Sequence, residues 1–168
     1  TKEVQEHLSF DHLKLSAWMD ANVADFSGPL TVKEFKGGQS NPTYQLITPT
    51  KRYVLRRKPP GVLMPSAHAV DREYRVIAAL GKTDFPIPKA YALCEDVEVI
   101  GTMFYVMEMV DGRIFWDLSL PDQTKSERTN IYRSKLETLA RLQKINPSEI
   151  GLDGFGKTEN YLARQVHR

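Results

Sequence analysis

A short run of glycine and small polar residues is the clearest candidate in the chain for binding an anion. It consists of Gly37, Gly38, Gln39, Ser40 and Asn41, and it lies between two segments of β-strand composition. Glycines let the backbone approach a phosphate closely, and successive N–H groups together with a hydroxyl can then hold the anion. A hairpin turn uses the same residue types, so both interpretations stay open for this run alone.

Two charged residues further along the chain can complete such an anion site. Arg56 lies in a predicted strand, where alternation places it on the same face as Val54. Glu73 lies in the predicted helix that follows, and its carboxylate can pair with the Arg56 guanidinium and hold it in place. Each residue also has a simpler interpretation, Arg56 as part of a solvated strand edge and Glu73 as a surface partner on its own helix.

The segment 105–112 is a third candidate, because an apolar strand there runs into a connector that ends at Asp111 and Gly112. Backbone N–H and C=O groups that become exposed where a strand ends can bind the edge of a purine. A buried strand followed by a turn explains the same composition. The pattern therefore permits a nucleotide site without requiring one.

The elements that must position these groups follow from hydrophobic periodicity and turn residues. Strands are predicted at 30–35, 44–48, 52–57, 97–100 and 103–107. Helices are predicted at 11–23, 66–80, 125–145 and 158–168. This order predicts an α+β chain with an N-terminal helical segment at 1–28, a lobe built on an antiparallel sheet at 29–111, and the start of a helical lobe at 112–168.

Composition and charge exclude several classes of protein. The chain has 168 residues, with 41% hydrophobic and 26% charged residues, which are ordinary values for a globular protein. A net charge of +2 gives no support for nucleic-acid binding. The longest uncharged apolar run, 99–107, is too short to span a membrane, so no membrane partner is expected. Cys94 is the single cysteine, which rules out an intrachain disulfide and favours a reducing, cytoplasmic location.

Residues 151–158 match the P-loop pattern G-x-x-x-x-G-K-[ST] literally. A working P-loop needs a buried strand before the loop and a helix after it. A predicted helix and the segment 146–150 precede this run instead. A P-loop NTPase is therefore kept only as an alternative. The four histidines show no metal-ligand spacing, and no metal site is predicted.

Taken in order, these features resemble the small lobe of a kinase-like protein, and the sequence itself resembles the aminoglycoside phosphotransferase-like family. The likeness is greatest to the branch of that family found fused to, or alongside, acyl-CoA dehydrogenases. It extends from about residue 30 onward, over the stretches 35–44, 53–61, 66–74, 105–112 and 151–156.

The resemblance implies specific roles on the phosphate side of an ATP site. The glycine run 37–41 would cover the phosphates. Arg56 would stand where kinases place a lysine on the third strand, and Glu73 would be its ion-pair partner. Arginine is a departure from the family pattern, because a guanidinium is a planar fork and not a point charge.

The resemblance also implies an adenine side of the site. Val54 and Met107 would line the pocket, with Met107 at its back. The carbonyl of Glu108 and the N–H of Val110 would face the adenine edge. The implied fold is a five-stranded antiparallel sheet with one helix, followed by the first helices of a helical large lobe.

The resemblance implies an ATP-dependent phosphotransferase that acts on the hydroxyl of an unidentified small molecule, with Mg²⁺ as a cofactor. The family's catalytic loop, H-G-D-x-x-x-x-N, and its metal ligands are absent from the sequence and are expected beyond Arg168. The 168 residues alone are then expected to be inactive. A non-catalytic nucleotide-binding or regulatory module is the alternative.

Overall fold

The structure is a computed structural model that describes residues 1–36, 40–61, 68–156, 159 and 161–166. Two compact units are present, one formed by residues 1–81 and 86–111 and the other by residues 82–85 and 112–168. We call them the sheet unit and the helical unit. Among the described residues, no helix has the length and apolar character needed to cross a membrane.

The sheet unit contains the five-stranded antiparallel sheet that the sequence predicts. Its strands are β1 (Thr31–Glu34), β2 (Thr43–Ile47), β3 (Arg52–Arg57), β4 (Ala90–Cys94) and β5 (Phe104–Glu108). They lie in the order β1-β2-β3-β5-β4, with every neighbouring pair antiparallel. The central strand β3 is therefore flanked by β2, its neighbour in sequence, and by β5, which lies about fifty residues later.

One predicted strand is wrong and another strand was not predicted. Val97–Ile100 forms one helical turn, α3, because the Asp96 side chain caps its start by accepting from the Glu98 N–H at 2.9 Å. Gly101 ends the turn with φ 85°, a left-handed conformation that glycine adopts without strain. The strand that was not predicted is β4. Its alanines favour strands only weakly, and its pairing with β5 is irregular between Ala90 and Ala92.

Two longer helices cover opposite faces of the sheet. Helix α1 (His12–Asn22) packs on the face that carries Tyr44, Leu46 and Leu55, and it buries Leu15 and Met19 completely. Helix α2 (Val70–Leu80) contacts β4 and β5 on the other face, which carries Arg56. The core on the α1 side consists of buried residues from α1, α3 and all five strands: Leu15, Met19, Val23, Val32, Tyr44, Leu46, Tyr53, Leu55, Cys94, Ile100, Phe104 and Val106.

The N-terminal residues are attached to the sheet by more than helix packing. Lys2 pairs with the edge strand β1 through two backbone hydrogen bonds to Glu34, of 2.8 and 2.9 Å. The Arg57 guanidinium lies 5.2 Å from the Phe10 ring centre and 5.8 Å from that of Tyr44, and its Nη1 donates to the Ile100 carbonyl. These contacts make the first 28 residues part of the sheet unit.

Tyr53 provides a stability prediction, because its buried hydroxyl has no hydrogen-bond partner within the described ranges. Burial also raises the pKa of this phenol. We expect Tyr53→Phe to raise the free energy of unfolding by up to about 1 kcal/mol, since an unsatisfied buried polar atom is removed. Tyr44→Phe is the matched comparison, because the Tyr44 hydroxyl donates to the Leu8 carbonyl at 3.3 Å. It should lower that free energy by about 1 kcal/mol.

Urea unfolding of both variants measures the difference. The denaturant dependence should stay unchanged, so that only the midpoint shifts. A loss of stability in Tyr53→Phe as large as that in Tyr44→Phe would show that the Tyr53 hydroxyl is satisfied.

The helical unit begins with a long connector and is dominated by α4 (Lys125–Lys144), which agrees with the helix predicted at 125–145. Thr124 and Glu127 form the capping box that starts it. Arg141 on this helix donates to the Asp84 carbonyl at 2.7 Å, which holds the short segment 82–85 in the same unit.

The P-loop interpretation of residues 151–158 is wrong. A 3₁₀ turn, Pro147–Ile150, comes directly before the run, and α4 comes before that turn. No strand is present between residues 112 and 156, so the buried strand that a P-loop requires is missing from this stretch. Lys157 and Thr158 lie outside the described residues, and α5 (Tyr161–Val166) follows them.

Candidate functional site

The candidate site is centred on an ion pair between β3 and α2. The Nε of Arg56 donates to Oε2 of Glu73 at 2.7 Å, and its Nη2 donates to Oε1 at 3.4 Å. The two side chains are 31% and 36% exposed. The pair therefore lies at the border of solvent, where it is accessible to a ligand but only partly screened by water.

The Glu73 carboxylate is a shared acceptor for further donors. The Asn41 side-chain nitrogen donates to its Oε1 at 3.0 Å, and the Tyr105 hydroxyl donates to its Oε2 at 3.1 Å. Burial raises the pKa of Tyr105, and the charge of Glu73 and its hydrogen bond raise it further. Tyr105 therefore stays protonated and acts as a donor to the carboxylate throughout the physiological pH range.

Thr43 closes a ring of hydrogen bonds that starts and ends at Arg56. The Nη1 of Arg56 donates to the Thr43 hydroxyl at 3.4 Å, and that hydroxyl donates to the Asn41 carbonyl at 3.0 Å. Since Asn41 and Arg56 both donate to Glu73, the four residues form a closed circuit, which we call the polar ring. The ring joins β2, β3 and α2 to the end of the glycine run.

Arg56 keeps hydrogen-bonding capacity beyond the polar ring. A guanidinium has five N–H groups, and Arg56 uses three of them in the bonds described above. Its Nε edge is held by the carboxylate, while Nη1 and Nη2 each retain an N–H for a ligand. Arginine suits this division, because its fork can bind a carboxylate along one edge and a phosphate along another.

The glycine run is only partly visible. Gly37, Gly38 and Gln39 lie outside the described residues, Ser40 is exposed, and Asn41 is 5% exposed. The buried Asn41 anchors the end of the run, because both its main-chain carbonyl and its side chain belong to the polar ring. Asn41 is thereby held on the same face of the sheet as Arg56.

The residues predicted for the adenine side lie on β3, on β5 and directly after β5. Val54 on β3 is directly opposite Met107, so the two side chains share the face that carries Arg56. The N–H of Glu108 donates to the Lys89 carbonyl at 2.8 Å. The N–H of Val110 has no backbone partner in the described part of the chain, and its side chain is 59% exposed. A free backbone donor is what the edge of a purine requires.

Sequence reasoning missed three participants: Thr43, Tyr105 and His68, whose Nδ1 lies 2.7 Å from Asn41 Oδ1. Tyr105 lies opposite Arg56 because β3 pairs with β5, and this non-sequential pairing has no local signal. Thr43 had such a signal, since it lies two residues after the glycine run, at the start of β2, opposite Arg56.

The described residues contain no group of three or more His, Cys, Asp or Glu side chains that could hold a metal ion. Glu73 has its oxygens occupied by four donated hydrogen bonds. Among the described residues of the site, the group suited to an anion is the Arg56 guanidinium, which keeps N–H groups outside the polar ring.

Known proteins share both the sequence and the fold. A family model described as "Phosphotransferase enzyme family" matches residues 31–168. Acyl-CoA dehydrogenase family member 11 of Homo sapiens is 44% identical over 168 residues, covering 98% of this chain and 22% of that protein. Family member 10 of Mus musculus is 39% identical over 167 residues, covering 99% of this chain and 16% of that protein.

A solved structure extends the likeness to three dimensions. The crystal structure of a "putative aminoglycoside phosphotransferase" from Ralstonia eutropha JMP134 is 48% identical. It superposes with a TM-score of 0.81, covering 95% of this chain and 46% of that one.

The sheet order and this superposition define a kinase-like phosphotransferase fold. The chain belongs to the APH phosphotransferase enzyme family, whose model matches it from Thr31 to its last residue. It spans between 16% and 22% of the length of the two dehydrogenase-family relatives. Those relatives carry the same domain as one part of a longer polypeptide.

Proposed function

We propose that this chain is the ATP-binding part of a phosphotransferase that transfers the γ-phosphoryl group of ATP to a hydroxyl of a small molecule. The polar ring carries the proposal. Its Arg56 guanidinium is partly exposed and has unused N–H groups. The guanidinium lies beside the end of the glycine run, on the same sheet as β5, and β5 ends two residues before Val110. Membership of the APH family supports the reaction class.

In this proposal the phosphate side is formed by the run 37–41 and Arg56. Backbone N–H groups and the Ser40 hydroxyl bind phosphate oxygens, as glycine-rich turns do. Arg56 donates from Nη1 and Nη2 to a phosphate while Glu73 holds its Nε edge at 2.7 Å. Glu73 does not touch the nucleotide, so it acts by fixing the direction in which the guanidinium points.

The adenine side is formed by the end of β5 and the connector that follows it. Val54 and Met107 pack against the base, and the carbonyl of Glu108 and the N–H of Val110 pair with its edge. ATP would supply the phosphoryl group, and Mg²⁺, for which the described residues offer no cluster of ligands, would neutralise the charge of the phosphates. The described residues contribute binding and orientation, which are the larger part of catalysis in phosphoryl transfer.

The wider setting of the reaction is also a proposal. Because the relatives in the acyl-CoA dehydrogenase family contain this domain, we propose that the chain works within, or beside, an acyl-CoA dehydrogenase. The single cysteine supports a reducing, cytoplasmic location. The small net charge of +2 supports a small-molecule acceptor in preference to nucleic acid.

Binding of MgATP to the full protein is the direct test. Titration calorimetry should give a dissociation constant on the order of 10–1000 μM, the range in which enzymes bind common substrates. Lys157→Ala is the matched control, because it removes the lysine of the literal P-loop pattern and should leave the affinity unchanged. The absence of any MgATP binding by the full protein would overturn the proposal.

A non-catalytic nucleotide-binding module is the second candidate, motivated by the arginine at position 56, where kinases place a lysine. The encoded sequence after Arg168 separates the two. H-G-D-x-x-x-x-N followed by a later D-x-[DE] supports catalysis, because these residues orient the acceptor hydroxyl and hold Mg²⁺. Their absence from the full protein supports the module.

A further inference from the structure

His68 contacts the polar ring from outside, at the end of the connector that leads into α2. Its Nδ1 lies 2.7 Å from Oδ1 of Asn41. Asn41 in turn donates from its side-chain nitrogen to Glu73 at 3.0 Å. The imidazole therefore contacts the oxygen of the same Asn41 amide whose nitrogen donates to Glu73 on α2.

The hydrogen-bond partners determine which atom carries each proton. Arg56 and Tyr105 both donate to the Glu73 carboxylate, so that group is an acceptor and the Asn41 atom facing it is the donor nitrogen. The Asn41 oxygen must then face His68. Since an oxygen of this kind only accepts, Nδ1 of His68 carries the hydrogen, and Nε2 is the second ring nitrogen left for solvent or a ligand.

The backbone at His68 is also unusual. Its φ is 56°, in the left-handed region, which is uncommon for residues other than glycine, although histidine, asparagine and aspartate adopt it more often than the rest. Such a conformation is unfavourable by itself and persists when surrounding contacts favour it. The hydrogen bond to Asn41, a residue that is 5% exposed, is a contact of this kind.

We propose that His68 is a positioning residue for the nucleotide, which acts by locking the Asn41 amide and with it the end of the glycine run against Glu73. The inference rests on the proposed function and deepens it. With the amide locked, Asn41 points its nitrogen at Glu73 and the ring around Arg56 stays closed. Without the lock, the Asn41 amide can rotate away from Glu73, so part of the binding free energy of the nucleotide is spent on restoring this contact.

His68→Gly removes the hydrogen bond from the imidazole to Asn41 and also relieves the backbone strain at position 68. Glycine accepts a φ of 56° at no steric cost, so the variant deletes the imidazole without distorting the connector. We expect the affinity of the full protein for MgATP to fall about three- to tenfold, the equivalent of one net hydrogen bond. The melting temperature should stay within a few degrees of that of the unmodified protein, because the side chain is half-buried and the strain is relieved.

Rescue by asparagine separates positioning from a general loss of structure. Asparagine tolerates left-handed backbone, and its amide nitrogen occupies nearly the place of the imidazole Nδ1. His68→Asn should therefore restore the affinity to within about twofold of the original value. His68→Gln places its nitrogen near the position of Nε2 instead and should bind MgATP as weakly as His68→Gly.

The outcomes are distinct from a failure of the proposed function. If the unmodified protein does not bind MgATP, the proposed function fails and this inference fails with it. If the unmodified protein binds MgATP and His68→Gly binds it equally well, the inference is overturned while the proposed function stands. Equal affinities for the Asn and Gln variants would likewise overturn it, because the Nδ1 contact would then have no special role.

Discussion

Arg56→Ala is expected to lower the affinity for MgATP at least tenfold and by up to about a hundredfold. This range corresponds to a net loss of about 1.5–3 kcal/mol, the contribution of one charge-assisted hydrogen bond. The loss of affinity is increased by the Glu73 carboxylate, because in this variant no guanidinium lies between its negative charge and the phosphates. Titration calorimetry of the full protein, at fixed ionic strength, measures the change.

Two further variants give the Arg56 result its meaning. Lys51→Ala also removes one cation, but its amine pairs with Asp25 at 3.3 Å on the exposed β2–β3 turn, so the affinity should be unchanged. Arg56→Lys keeps the charge but cannot hold Glu73 and a phosphate along two separate edges, so an intermediate affinity is expected. Equal losses in Arg56→Ala and Lys51→Ala would show that only net charge matters and would contradict the assignment of Arg56.

Leu15→Ala is expected to lower the free energy of unfolding of the sheet unit by about 2–5 kcal/mol. Leu15 is 0% exposed and belongs to the core between α1 and the sheet. Truncating it removes apolar contact and leaves a cavity that the surrounding side chains fill only in part. The loss is a large fraction of the stability of an ordinary domain. Thermal and urea unfolding, followed by circular dichroism, measure it.

Leu13→Ala on the same helix is the matched control. Leu13 is 83% exposed, so the same chemical change should alter the stability by no more than about 0.5 kcal/mol. The comparison tests whether the first 28 residues belong to the fold of the sheet unit. A loss of stability in Leu15→Ala as small as that in Leu13→Ala would show that α1 does not contribute to the stability of the sheet unit.

Much of the sheet unit could be predicted from local signals. The strands β2 and β3 are joined by a short turn at Pro49–Lys51, and alternation correctly places Val54 and Arg56 on one face. The capping box at Thr124 and Glu127 likewise predicts the start of α4 within one residue. These features are encoded in neighbouring residues, and tertiary packing does not override them.

The remaining features depend on contacts between distant residues. The pairing of β3 with β5 brings Tyr105 beside Arg56, although 49 positions separate them in the chain. Residues 97–100 have strand-like composition, yet the cap at Asp96 and the glycine at 101 make them one turn of helix. The alanine-containing strand β4 forms because β5 offers it an open edge, which its own composition does not predict.

The polar ring shows the same division. The order of the motifs predicts the pairing of Arg56 with Glu73, whereas the roles of Tyr105 and His68 follow only from the strand pairing and hydrogen bonds of the folded chain. Asn41 lay inside the predicted glycine run, but its role as the link between that run and α2 depends on the position of Glu73. The order of the motifs thus predicts the charged residues Arg56 and Glu73, and the packing of the folded chain shows which residues orient them.

The register of β3 against β5 fixes the distance between the two ends of the proposed nucleotide site. Tyr53 lies opposite Glu108, where the connector begins, and Arg56 lies three residues further along β3. Three residues of strand span about 10 Å, and a rigid central strand keeps this separation fixed. Under the proposed function, a ligand must bridge that gap to contact both ends of the site. We therefore expect adenosine and inorganic triphosphate, which would each reach one end, to bind more weakly than ATP in titration calorimetry of the full protein.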